Sequence, residues 1–135
     1  MNINFEKIHE DKRGAIFLIT GLFPEEKEVT LFITKEGYAR GGCIHKKNPE
    51  WCCVLDGEIE YYIERQPIRH LYKGDKCMID IAQQHYFVSL HDSIVIEWGA
   101  TPAEKKEKGE WRKYVEHRNK MVDVLNTLQV RWRGA

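Results

Sequence analysis

Gly37-Tyr38-Ala39-Arg40-Gly41-Gly42-Cys43-Ile44-His45-Lys46-Lys47-Asn48-Pro49-Glu50-Trp51-Cys52-Cys53-Val54-Leu55-Asp56-Gly57 is the stretch whose reading decides the fold. Cys43 and His45 are two residues apart, so on a β-strand both side chains point to one face. Asn48-Pro49 is a turn signal, and Glu50 can return to that same face from the neighbouring strand. Glu50–Leu55 is apolar on both faces, which predicts a strand covered on both sides. Asp56-Gly57 is the strongest hairpin turn pair in the chain, and the alternating Ile59, Tyr61 and Ile63 follow it.

Outward from this stretch the pattern repeats. Strands are expected at Ala15–Thr20, Val29–Thr34, Tyr38–His45, Glu50–Leu55, Glu58–Glu64, Ile68–Tyr72, Lys76–Ile81, Tyr86–Leu90 and Ser93–Trp98. Turn chemistry separates them at Lys12-Arg13-Gly14, Lys35-Glu36-Gly37, Lys73-Gly74-Asp75 and His91-Asp92. Many short strands at this spacing favour a sandwich or barrel over an α/β fold. The tail differs. Thr101-Pro102-Ala103-Glu104 reads as a helix start, with threonine as N-cap and proline at the first helical position. Trp111, Tyr114, Val115, Met121, Val122, Leu125 and Leu128 then recur at helical spacing, an apolar face expected to pack on the barrel. The expected organisation is one structural domain: a barrel over 1–100 and a helical extension over 101–135.

Lys plus Arg equals Asp plus Glu at 21 each among 135 residues, so the formal net charge is zero. That balance speaks against general binding of nucleic acid or an anionic membrane, both of which need surplus positive charge. No basic segment followed by an apolar one opens the chain, and no apolar run is long enough to cross a bilayer. Cys43, Cys52, Cys53 and Cys77 lack the spacing of a secreted disulfide scaffold, so reduced thiols in the cytoplasm are expected.

The chain resembles the cupin superfamily. The first cupin motif, G-x5-H-x-H-x3,4-E-x6-G, is met in register by Gly37, Cys43, His45, Glu50 and Gly57, with cysteine in place of the first histidine. The second motif is met in spacing from Gly74 to Ser89, and only Gly74 and His85 keep its identities. The resemblance implies a mainly β, jelly-roll barrel with its site inside. More narrowly, Asp11-Lys12-Arg13-Gly14 and Arg40-Gly41-Gly42-Cys43-Ile44-His45-Lys46 are similar to segments of the dTDP-4-dehydrorhamnose 3,5-epimerases and the dTDP-keto-sugar 3,4-ketoisomerases. Those enzymes use a histidine of this segment as acid/base and nearby basic residues to hold the diphosphate. Cys43 stands where the epimerases have that histidine. Glu50 stands where the ketoisomerases have glutamine, and glutamate there belongs to metal-binding cupins.

These readings set the expected site. His45, Glu50 and His85, with or without Cys43, are the expected ligands of one divalent transition metal. Zinc or iron is favoured if the thiolate ligates, with nickel or manganese as alternatives. His45 and His85 are the expected acid/base groups, and Arg40, Lys46 and Tyr61 the expected substrate contacts. Arg40 is out of phase with Cys43 and His45, so it turns inward only if Gly41-Gly42 form a bulge. The leading functional reading is an isomerase or epimerase acting on a keto-sugar, in nucleotide-linked or free form. A metal-dependent oxygenase or lyase and a non-catalytic sugar-binding module are the alternatives, and a homodimer is the expected assembly.

Overall fold

A computed structural model of the protein describes residues 2–23, 28–99 and 107–133. Among them lie β1 (Asn4–Asp11), β2 (Gly14–Thr20), β3 (Val29–Thr34), β4 (Ala39–Ile44), β5 (Glu50–Asp56), β6 (Glu58–Ile63), β7 (Arg69–Tyr72), β8 (Lys76–Ile79), β9 (His85–Ser89), β10 (Ser93–Trp98), β11 (Glu107–Lys108) and α1 (Arg112–Arg133). Two antiparallel sheets face each other, one ordered β1-β2-β3-β10-β5-β8 and the other β11-β4-β9-β6-β7. Alternation decides what lies between them. Ile59, Tyr61 and Ile63 of β6 point inward together with Cys52 and Val54 of β5, Phe87 of β9 and Val95 of β10. This is the expected mainly β jelly-roll with one C-terminal helix. Asp56-Gly57, expected as a hairpin turn, instead carries the chain from one sheet to the other, since β5 pairs with β10 and β8 while β6 pairs with β9 and β7.

Strand β1 was not expected from the sequence. It pairs with β2 at the sheet edge and is exposed along its whole length, so no buried face imposed an alternating pattern on it. The outer face of β5 also departs from expectation. Cys52 and Val54 are buried, but Trp51 and Leu55 are exposed among the described residues.

The strands meet at an irregularity that positions the site. Along β4 and β9 the register runs Gly41↔Tyr86 and then Cys43↔His85, leaving Gly42 as the extra residue of a bulge. Gly41 has φ +116° and Gly42 φ +85°, a region that side chains disfavour. A Cβ on Gly42 would also lie 2.7 Å from the Arg112 Cα, so the helix approaches this strand only because the residue is glycine.

The expected helix start at Thr101–Glu104 lies outside the described residues. The helix found begins at Arg112, and Glu107–Lys108 instead pair with Ile44 and Cys43 as a short strand. The edge of β4 has open backbone groups there, and pairing satisfies them. Further along that edge the Asn119 side chain takes over, accepting from the Ala39 N–H at 2.7 Å and donating to its C=O at 3.1 Å. Asp123 ties the helix down through the Tyr38 hydroxyl (2.8 Å) and Lys12 (2.6 Å). Of the expected apolar face, Val115 and Val122, two turns apart, are buried, while Tyr114, Met121, Leu125 and Leu128 remain exposed. The buried stripe is narrower because hydrogen bonds given by Arg118, given and accepted by Asn119 and accepted by Asp123, not apolar packing alone, hold the helix to β4 and its preceding turn. No described helix is long and apolar enough to cross a membrane.

Candidate metal centre

His45 follows β4 directly, Glu50 opens β5 and His85 opens β9, so three strand ends deliver three side chains to one end of the barrel. The Cys43↔His85 pairing fixes how β4 sits beside β9, and the Ala82 N–H donates to the His45 carbonyl at 2.7 Å. All three side chains are buried, and one donor atom from each lies within 4.8 Å of the others. The rings of His45 and His85 are stacked with centroids 5.5 Å apart.

The hydrogen bonds assign the tautomer of His85. Its Nδ1 lies 3.1 Å from the Gln83 carbonyl oxygen, which can only accept, so Nδ1 carries the proton. Nε2 then faces Glu50 Oε1 at 3.8 Å. His45 Nε2 contacts the same carboxylate oxygen, and its Nδ1 is buried without a hydrogen-bond partner. Two imidazoles converging on one buried carboxylate are balanced by a cation or a proton between them. A tetrahedral ion with bonds of ~2.0–2.2 Å holds its donors ~3.3–3.6 Å apart, so the His45–Glu50 contact has to open and the widest pair has to close by at most ~1.5 Å to fit one. These residues could hold a metal ion.

A cavity of about 380 Å³ opens beside the cluster, and His45, His85 and Cys43 form part of its wall. Cys43 reaches the cavity, but among the described residues the mutually close donors are His45, Glu50 and His85 without its sulfur. The bulge answers the question of Arg40. One extra residue inverts the strand's phase, so Arg40 lines the same cavity as Cys43 and His45. Arg40 is 2% exposed, with Nε on Thr34 Oγ1 (3.1 Å) and Nη2 on the Ile33 carbonyl (3.1 Å). Burial, with Arg13 nearby, lowers its pKa to about 10, so it stays charged at neutral pH.

Lys46 and Lys47 are exposed and do not line the cavity. Tyr61 does not line it either. Its ring is wholly buried behind His85, centroids 6.2 Å apart, and its hydroxyl donates to Glu97 Oε1 at 2.7 Å. Burial and the facing Glu97 push the Tyr61 hydroxyl well above its usual range, keeping it a donor. Glu97 was missed by the sequence reading. It is 7% exposed and lines the cavity, and its signal was parity, since Ser93, Val95 and Glu97 share the inward phase of β10.

No protein-family model and no curated protein matches this sequence. Solved structures do. The capsular polysaccharide assembling protein CapF from Staphylococcus aureus superposes with a TM-score of 0.62 at 19% identity, over 82% of this chain and 33% of that one. Oxalate decarboxylase from Lactobacillus farciminis gives 0.62 at 19%, over 78% and 33%. An RmlC-like cupin from Shewanella frigidimarina gives 0.57 at 17%, over 76% and 86%. The chain spans about a third of the length of the CapF and oxalate decarboxylase chains. At these identities the likeness shows the fold, and the fold is that of the cupins.

Proposed function

We propose that this cupin-fold protein is a metal-assisted isomerase or epimerase that moves a proton beside the carbonyl of a keto-sugar held in the barrel. One observation carries the reading: His45 and His85 converge on Glu50 at the wall of a cavity that also displays a buried guanidinium and a buried carboxylate. His45, Glu50 and His85 would hold the ion, and when bound it supplies Lewis-acid polarisation of an oxygen. Drawn into that cluster, the two imidazoles are poor candidates for the acid/base role first assigned to them. Glu97 suits the role better, because it faces the cavity and Tyr61 fixes its orientation. It takes a proton from the carbon beside the carbonyl and returns it to the neighbouring carbon on the same face; in an epimerisation the returning proton comes from solvent on the opposite face. Arg40, toward the other end of the same cavity, is a substrate contact.

The assembly we propose is a two-fold dimer through the outer face of the six-stranded sheet. Trp51 is 41% exposed, pairs across strands with Met78 and stacks on Trp98 at 6.5 Å, an apolar patch that a second copy would cover.

Incubating protein of known metal content with keto-sugars in D2O tests the function. The expected result is deuterium incorporated beside the carbonyl, dependent on the metal and lost in Glu97→Gln. Metal-loaded protein that exchanges no deuterium with any keto-sugar refutes it. Two imidazoles and one carboxylate are also the donor set of ferrous oxygenases, which makes dioxygen chemistry the second reading. Oxygen uptake without deuterium exchange would decide for it.

A further inference from the structure

The cavity is polarised along its length. At the Thr34 end of β3 stand Arg40, bonded to Thr34 itself, and Arg13, whose neighbour Gly14 pairs with Thr34. Arg112 stands beside them, its Nη1 donating to the Gly41 carbonyl at 2.5 Å. At the other end of β3 are Glu28, which precedes the strand, and Glu97, paired with Thr30. Four residues of strand, roughly 13 Å, separate Thr30 from Thr34. All five of these charged side chains line the same cavity.

The three guanidinium groups are not equally compensated. Arg13 is gripped by Asp11 through Nε and Nη2 at 3.0 and 2.9 Å. The hydrogen bonds of Arg40 go to a hydroxyl and a carbonyl, and its Nη1 is buried with none. That of Arg112 goes to a carbonyl. A buried cation on neutral acceptors is retained at a cost unless a ligand brings the counter-charge. Local architecture is committed to the arrangement, since the glycine bulge both turns Arg40 inward and lets the Arg112 backbone approach.

We propose that the ligand of this cavity carries a carboxylate, received at the Arg40 and Arg112 end. The ligand is then a monosaccharide-sized sugar acid or hydroxy acid, its carboxylate in the planar fork of a guanidinium and its other oxygens toward His45, His85 and Glu97. The cavity's volume, about 380 Å³, sits near the lower end of the ~300–1,000 Å³ usual for ligand sites. A compact acid suits it better than a whole nucleotide-linked sugar. This inference names the substrate class of the site described above and rests on that cavity being where substrate binds.

Calorimetry on metal-free full-length protein separates the two ideas, because the arginine end needs no ion. The probes are D-glucuronate, D-glucose, inorganic phosphate and dTDP. Glucuronate is expected to bind at least tenfold more tightly than glucose and to weaken as salt rises. Arg112→Gln, half-exposed and expected to fold, should weaken glucuronate at least tenfold and leave glucose unchanged. Arg40→Lys, verified as folded by circular dichroism, should weaken it too, because charge without the fork does not suffice. Equal binding of glucuronate and glucose, no binding of either, or an unaltered Arg112→Gln overturns the proposal. Tighter binding of phosphate or dTDP than of glucuronate also overturns it, in favour of a phosphorylated ligand. Sugar-acid binding without metal or deuterium exchange would leave this inference standing and remove the isomerase. Exchange on neutral keto-sugars alone would do the reverse.

Discussion

Replacing Glu50 by Gln keeps the shape of the side chain and removes its charge from the point where His45 and His85 converge. Two accounts of the cluster diverge at this change. If it is an ion site, wild-type protein gains stability on adding metal, by ~2.7 kcal/mol at a hundredfold excess over Kd. Unfolding entropy of about 2.1 cal/mol/K per residue makes ~0.28 kcal/mol per degree for a chain of this size, so the melting midpoint rises by roughly 9 °C. Losing the carboxylate ligand should weaken binding at least ~100-fold, and the same metal then gives ~0.4 kcal/mol, a shift of only one or two degrees. Without metal, the variant should match or exceed wild type, because burying the carboxylate costs more than burying the neutral amide that replaces it. If the cluster is instead a structural ion pair, removing one partner should cost about 3–5 kcal/mol in the metal-free state. Thermal unfolding of both proteins with zinc, ferrous iron, manganese and nickel, alongside elemental analysis, reads each quantity. A metal-free Glu50→Gln destabilised by 3 kcal/mol or more, or a wild type indifferent to all four metals, refutes the metal reading.

Gly42→Ala puts a methyl group 2.7 Å from the Arg112 Cα at a positive φ, so denaturant unfolding should show a loss of about 2 kcal/mol or more and a loosened helix. The Asp123 carboxyl is held below its usual 3.8 by its hydrogen bond to Lys12, with Tyr38 adding to it. The unfolded chain therefore binds that proton more readily, so the helix anchor is at full strength above the unfolded value and is lost as pH falls through the folded one. Wild-type denaturation midpoints should fall below pH 4 more steeply than those of Asp123→Asn, and equal slopes would contradict the anchor. Trp51→Glu should convert a dimer to a monomer by light scattering at micromolar concentration, and a monomeric wild type would end the sheet-to-sheet proposal.

Much of this protein was legible in residue order because its cues are local. The break at Asp56-Gly57, the alternation of Ile59, Tyr61 and Ile63, and the nearness of His45 to Glu50 each depend on neighbours a few residues away, while His85 entered through the spacing of the second motif. Strand period alone then fixes the facing of these side chains. Other features came only with the tertiary structure. Strand β1 has no buried face and so no periodic signal, and β11 forms because β4 leaves backbone groups open, a fact of sheet order. The inward turn of Arg40 depends on where β9 pairs across the bulge, and Cys43 reaches the cavity while standing outside the close donor set. Glu97 lay in the inward phase of its strand all along. Only the closing of the two sheets put it on the same cavity wall as Arg40, His45 and His85. Residue order determined which side chains point inward, because that follows from backbone geometry over a few residues. Which inward side chains meet was decided by register and sheet packing, which depend on contacts between strands far apart in the chain.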